Sequence, residues 1–271
     1  MANDPHYIFN QTQERSERDR LKLIERYHDP RTRKRLLATG LKAGWKCLEV
    51  GPGAGSIMHW LAKTVGAKGK VVALDINPRF VHRTRSRNIQ VVQGDIANTS
   101  FPTNTFHLAH ARFVLIHTPA NRKALANILQ ALRPGGWLVL EEPDFSAARV
   151  VAGPKLPSQS VKRVNQAIIR MFEKAGLNPS FGLELPKLLQ QLGMTNLIVE
   201  NDTPISQGGS RLATIMQLSS YQLKNAYLAT GVATKSDITR YGRFAEDPTT
   251  WAIYHGTVVA HAKKVNSHKG T

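Results

Sequence analysis

Between Trp45 and Leu140, short apolar runs alternate with apolar positions at helical spacing. The run at 45–50 passes straight into Ile57, Trp60, Leu61 and Val65, which share one helix face. That pattern predicts a strand followed at once by an amphipathic helix. Further apolar runs at 71–74, 89–92, 106–110 and 137–140 each predict a strand. Leu125, Ile128, Leu129 and Leu132 place a helix before the last of these, with Thr118-Pro119 as its predicted cap and first residue. Arg133-Pro134-Gly135-Gly136 then predicts a turn. Asn77-Pro78 predicts the start of a short basic helix. Upstream, the stripe Leu21, Ile24 and Tyr27 predicts a helix over 14–27, and a second helix runs from about Arg31 to Ala38.

The second half is less regular. Gly153, Pro154 and Pro157 predict a loop over 145–158. Helices are expected at 160–175, 184–192 and 210–229, and a capped one from Thr234 with Asp237 three residues on. Strands are expected from Asn196 to Asp202 and from Ala252 to Ala262. Repeated strand–helix units predict an α/β fold, doubly wound, with a mostly parallel sheet. The expected organisation is N-terminal helices over 1–40, a ligand-binding half over 41–145, and the remainder with helical cap insertions over 146–271.

In such sheets a ligand lies beyond the carboxyl ends of the strands. Asp75, Asp95, Arg112, His117 and Glu142 all fall there. The first crossover carries Glu49-Val50-Gly51-Pro52-Gly53-Ala54-Gly55-Ser56. Glycines let backbone approach a ligand closely, and helix-start amides face it. The spacing is G-x-G-x-G, with Ser56 where a dinucleotide fingerprint has its third glycine. Glu49 would repel a pyrophosphate but suits a cationic ammonium or sulfonium, which points to S-adenosyl-L-methionine.

Charge and composition add partners and compartment. The net charge is +18, from 37 basic and 19 acidic residues, which suits nucleic acid, anionic substrates or a membrane surface as well as a merely solvated face. Arg79, Arg83, Arg85 and Arg87 form one cluster; Arg31, Arg33, Lys34 and Arg35 form another. The single cysteine, Cys47, reads as core and excludes disulfides or a cysteine-rich zinc site. No metal site is expected. No apolar run is long enough to span a membrane, the first twenty residues lack a signal-peptide core, and a cytoplasmic location is expected.

The chain resembles the class I methyltransferases that use S-adenosylmethionine, especially the branch with the ubiquinone and menaquinone biosynthesis enzymes and many natural-product methyltransferases. The matching segments are LEVGPGAGS at 48–56, VVALDINP at 71–78, VVQGDI at 91–96, FHLAHARFVLIHTP at 106–119 and LRPGGWLVLEEPD at 132–144. The resemblance implies a Rossmann-like seven-stranded sheet whose last strand is antiparallel. It implies that Gly51, Gly53 and Gly55 wrap the methionine part and that Glu49 attracts its ammonium. Asp75 would hold the ribose hydroxyls, Ile76 and Ile96 would sandwich the adenine, and Asp95 would accept from its amino group. Arg112 would lie beside the methionine portion. His107 departs from the family, which usually has an acid there.

The reading from these residues is a methyltransferase of a small-molecule metabolite, acting on oxygen, carbon or nitrogen by in-line transfer driven by positioning. A hydroxyl nucleophile would need a base, for which His117 and Glu142 are the candidates, with Glu141 facing the other way. His110 reads as a core histidine. The substrate would be apolar or aromatic, between the N-terminal helices and the cap, with Tyr7, Phe9, Tyr27, Phe145, Phe172, Tyr221 and Tyr227 as wall candidates. The alternatives are an RNA methyltransferase using the basic surface, or a homologue catalysing cyclisation or rearrangement.

Overall fold

A computed structural model describes residues 14–265. The chain begins there with α1 (Glu14–Ala38) and continues β1 (Lys46–Val50), α2 (Ser56–Val65), β2 (Lys70–Asp75), β3 (Ile89–Gln93) and β4 (Phe106–Arg112). Then come a 3-10 turn (Leu115–His117), α3 (Asn121–Ala131), β5 (Leu132–Asp144) and β6 (Arg149–Ala152). The rest is α4 (Lys155–Lys174), α5 (Leu185–Gln191), β7 (Thr195–Asp202), β8 (Ser206–Gln207), α6 (Arg211–Gln222), α7 (Lys224–Ala229), α8 (Lys235–Glu246), β9 (Trp251–Ile253) and β10 (Gly256–Lys263).

Seven strands form one sheet in the order β3-β2-β1-β4-β5-β10-β7. The order reverses at β1, and the pairings β1–β2, β1–β4, β2–β3 and β4–β5 are all parallel. β10 runs the other way. Its end meets the start of β5, where the Lys264 amide donates to the Gly136 carbonyl at 2.8 Å. Its start, Gly256, faces Asp144 at the far end of β5. The fold is thus the Rossmann-like arrangement expected, with an antiparallel last strand.

Two compact units can be distinguished. One comprises His28–Glu142, Leu183–Glu200 and the chain from Val258 on. Its core joins Leu36, Cys47, Met58, Leu61, Val71 and Val139, each fully or almost fully buried. Burial raises the Cys47 thiol pKa, so this cysteine is a small core residue. The Lys264 ammonium donates to the carbonyls of Leu129 and Leu132 at 2.7 and 2.6 Å, a cation placed at the C-terminus of α3.

The other unit comprises the chain up to Tyr27, Pro143–Gly182 and Asn201–Thr257. It holds α4, α6, α7, α8 and a three-stranded sheet in the order β6-β9-β8. Asp237 knits it together. It forms a capping box with Thr234, and its carboxylate also accepts from Ser160 Oγ at 2.8 Å and Arg163 Nη2 at 2.5 Å on α4. Phe145 stacks on buried Phe172 at 5.4 Å. Tyr227 is buried and Tyr221 is exposed. Tyr7 and Phe9 lie outside the described residues. No described helix is long and apolar enough to cross a membrane.

Several elements differ from the sequence expectation. The two N-terminal helices are one, with Pro30 inside it. Proline lacks the amide that would bond the carbonyl four residues back, and Arg211 Nη1 instead donates to that Arg26 carbonyl at 3.2 Å. Arg133-Pro134-Gly135-Gly136 does not end the helix in a separate turn but lies within β5. Its extra length is absorbed as a bulge, because pairing jumps from Phe106–Leu132 to Leu108–Trp137. Thr118 does not cap α3. Its hydroxyl donates to the Val114 carbonyl at 3.1 Å, and Ala120 is the cap residue.

The expected basic helix after Pro78 is only a turn, in which Val81 and His82 amides both bond the Pro78 carbonyl. The expected loop at 145–158 contains β6 and the start of α4. The 210–229 helix breaks at Leu223 into α6 and α7, and the final strand is interrupted between β9 and β10.

Candidate functional site

The carboxyl ends of β1, β2, β4 and β5 carry every site residue the sequence pointed to except those following β3. At the end of β1, Gly51, Gly53 and Gly55 have φ of 66°, 60° and 99°, a region disfavoured for residues with a Cβ. The Gly51 amide donates to the Leu74 carbonyl at 2.8 Å, locking the turn to β2. A Cβ on Gly51 would run into Val114 on the loop after β4. Gly55 caps α2 with no side-chain cap, so the first amides of that helix face outward without a competing side chain.

Asp75 ends β2. The Asn77 amide donates to its Oδ1 at 2.8 Å, and its other carboxylate oxygen has no hydrogen bond among the described residues. Burial raises its pKa, against the Asn77 bond and the Arg79 charge. Asp95 follows β3, accepting from the Ala97 amide at 2.8 Å and from Asn98 Nδ2 at 2.5 Å. Ile76 is half-buried and Ile96 buried. The Ile96 carbonyl accepts from Asn127 Nδ2 at 2.9 Å.

Arg112, at the end of β4, turns to α1. Its Nη1 donates to Thr32 Oγ1 at 2.9 Å and its Nη2 to Asp29 Oδ1 at 3.0 Å. Ser56 Oγ, in the first turn of α2, donates to the same Asp29 oxygen at 3.1 Å. Asp29 thus links α1, the start of α2 and β4. Sequence reasoning missed it, because nothing about an acid ahead of Pro30 signals a partner more than eighty residues away. Phe113, next along, has φ of 57°, unusual for a bulky side chain, and its ring meets His28 edge-on at 4.9 Å.

Glu142 is fully buried, and its oxygens accept three amides: Val114 at 3.2 Å, Leu115 at 2.8 Å and Ile116 at 3.1 Å. Burial pushes its pKa up to about 8, against those amides, which favour the charged form. This geometry braces the loop that carries His117. Glu141 points to the opposite face, as strand alternation requires. There its Oε1 stands 3.6 Å from His110 Nε2.

His110 Nδ1 lies 2.8 Å from Glu49 Oε2. The parallel register of β1 and β4 places these two side by side. Burial lowers the His110 pKa, but Glu49 and Glu141 more than offset it and raise it to about 9. His110, with the Arg112 charge and Thr32, holds Glu141 down to about 2 despite its burial. The signal for this cluster was in the sequence. Glu49 and His110 are each one residue short of the Val50–Ala111 neighbours at the strand ends, and that alignment would have paired them.

His107, where the resemblance leads to the expectation of an acid, accepts the Lys46 amide at Nδ1 (3.1 Å) and stacks on Trp45 at 5.5 Å. It closes the start of β1, at the opposite end of the strands from the site.

The donor set suits a cationic adenosyl cofactor better than a pyrophosphate. It offers a glycine turn with open helix amides, a carboxylate beneath that turn, and a half-buried carboxylate at the next strand end with an oxygen to spare.

Residues 48–140 match the family model described as a methyltransferase domain. A methyltransferase of Strobilurus tenacellus, str3, is 34% identical over 146 residues, covering 54% of this chain and 51% of that protein. The ubiquinone/menaquinone biosynthesis C-methyltransferase of Idiomarina loihiensis is 31% identical over 112 residues, covering 38% and 45%. The chain thus spans about half the length of the curated relatives it matches. Among solved structures, a putative methyltransferase from Bacillus halodurans superposes with a TM-score of 0.55 at 18% identity, covering 86% of this chain and 98% of that one. This likeness shows the fold. Over residues 48–140 the chain thus matches a methyltransferase domain.

Proposed function

We propose that this protein transfers a methyl group from S-adenosylmethionine to a small molecule. The observation that carries the reading is the convergence of the open glycine turn, Glu49 and Asp75 on neighbouring strand ends of the parallel sheet. The matched relatives include a quinone-biosynthesis enzyme and a fungal methyltransferase, which supports a metabolite as acceptor.

The cofactor supplies a methyl already activated on a sulfonium. This chain's residues bind and align it. The Gly51–Gly55 backbone receives the methionine part, and Glu49 balances its ammonium. Asp75 accepts from the ribose diol through its spare oxygen, since one carboxylate can accept two such bonds. Ile76 and Ile96 flank the adenine, and Asp95 accepts from its amino group. Arg112 holds α1 against the end of β4 through Asp29 and Thr32, and so shapes the methionine end of the site. Glu142 sets the loop geometry, and His117 on that loop is the candidate base for a hydroxyl nucleophile.

Calorimetry with S-adenosylmethionine tests the assignment. Asp75→Ala should weaken binding roughly ten- to a hundredfold, the value of one or two bonds to a charged acceptor. Unchanged affinity would refute the ribose placement.

A second reading has one observation in its favour. Arg83, Arg85 and Arg87 are exposed on the stretch between β2 and β3, which suits an RNA backbone. Binding to RNA that falls steeply with salt would favour it. Absence of such binding at physiological salt would exclude it.

A further inference from the structure

His110 has no task in the reading above, yet it sits at the centre of the most enclosed charge cluster beneath the glycine turn. His110, Glu49 and Glu141 are exposed by only 1%, 3% and 0%. The imidazole lies 2.8 Å from one carboxylate and 3.6 Å from the other. Two further cations, Arg35 and Arg112, also act on Glu141 while bonded to other carboxylates. Arg35 stands 4.0 Å from Glu141 but bonds Glu200 at 2.8 Å, and Arg112 is held by Asp29 at 3.0 Å. Thr32, fully buried on α1, completes the surroundings.

Two carboxylates facing one dry site do not both stay ionised unless a cation balances them. A carboxyl that took up a proton there would have no charge left for an ammonium. We propose that His110 is a positioning residue for the cofactor: as an imidazolium held between Glu49 and Glu141, it holds the Glu49 carboxylate in one orientation, so that these three side chains retain one net negative charge for the cofactor's ammonium. The inference rests on the role given to Glu49 under Proposed function. The shifts agree in direction: the imidazole is raised by the two carboxylates, and Glu141 is lowered by His110 together with Arg112 and Thr32.

The test is calorimetric titration of S-adenosylmethionine into wild type and His110→Gln between pH 5.5 and 7. The ligand's own titration is common to both proteins and cancels in the ratio of their affinities. In His110→Gln the carboxyl must release a proton on binding. The variant's affinity relative to wild type should therefore rise by up to about tenfold per pH unit, the slope of one linked proton. A pH-independent ratio near one overturns the inference alone. Failure of wild type to bind at any pH overturns the underlying cofactor reading, and the inference with it. Imidazole nitrogen shifts of the wild-type protein keep the idea open to refutation should the variant not fold. Two protonated ring nitrogens on His110 at pH 7.5 are expected, and a neutral ring overturns it.

Discussion

Val114 packs into the space that Gly51 leaves by having no Cβ. The glycine turn after β1 and the loop after β4 are therefore one packed unit, and the glycine serves the protein's own contacts as well as any ligand. Gly51→Ala meets two penalties. Its φ of 66° costs on the order of 1–2 kcal/mol for an L-residue, and overlap with Val114 adds about 1–3 kcal/mol. Thermal or urea unfolding should show a loss of several kcal/mol. Adding Val114→Ala should recover the steric part only, because the backbone strain remains. Full recovery would show that φ does not matter here.

The Val114 loop depends in turn on Glu142. Glu142→Gln keeps the shape and one good acceptor but turns an N–H against backbone amides that are themselves donors. The expected loss is about 1–3 kcal/mol, concentrated at the loop. Hydrogen exchange at Val114, Leu115 and Ile116 should accelerate more than at β1. If Glu142 were instead a general base, the variant would lose turnover with these amides still protected. His117→Gln gives the contrasting prediction for methylation of a hydroxyl: kcat falls by roughly 10²–10⁴-fold, the span of general-base catalysis, with cofactor affinity unchanged.

Much of this arrangement was readable before any coordinates because it is local. The β1–α2 crossover declares itself through an apolar run, three glycines and a helical stripe, and α2 begins at the expected Ser56. The strand ends follow from the same alternation, so Asp75 and Asp95 could be placed at once. What escaped is set by partners distant in sequence. Pro30 looked like a helix boundary because the donor that answers the Arg26 carbonyl, Arg211, is far along the chain. Glu142 gave no sign of its backbone partners because those amides belong to a loop before α3. Gly135 and Gly136 carry turn chemistry, and it is used, but as a bulge inside β5 whose register only the pairing with β4 reveals. Thr118 and Pro119 fit a cap by composition, yet the hydroxyl bonds backward to Val114 instead.

The Arg26–Arg211 bond can be weighed by a double-mutant cycle. Arg211→Ala alone should cost about 1 kcal/mol, the net value of one such bond with a charged donor on a carbonyl that stays partly solvated. Pro30→Ala should stabilise α1 by supplying the missing amide, up to about 3 kcal/mol of helix propensity. In the Pro30→Ala background the carbonyl already has a partner, so Arg211→Ala should cost clearly less than it does alone. Additive costs would mean that the guanidinium acts elsewhere.

His110 also predicts how stability depends on pH. Its pKa is raised in the folded protein, from 6.5 to about 9. A group raised on folding contributes stability in full below its unfolded value and loses it as pH climbs through the folded one. Glu142, raised to about 8 from 4.5, acts with the same sign, its contribution fading between about 4.5 and 8. Glu141, lowered to about 2, has the opposite sign and matters only in acid, where its contribution disappears as pH falls from 4.5 through 2. Unfolding free energy should therefore decline from pH 6.5 to pH 9, with a His110 share on the order of 2–3 kcal/mol. His110→Gln should be less stable than wild type at pH 6.5 while keeping whatever Glu142 contributes. A wild-type curve that rises over this interval would show that the imidazole is neutral in the fold.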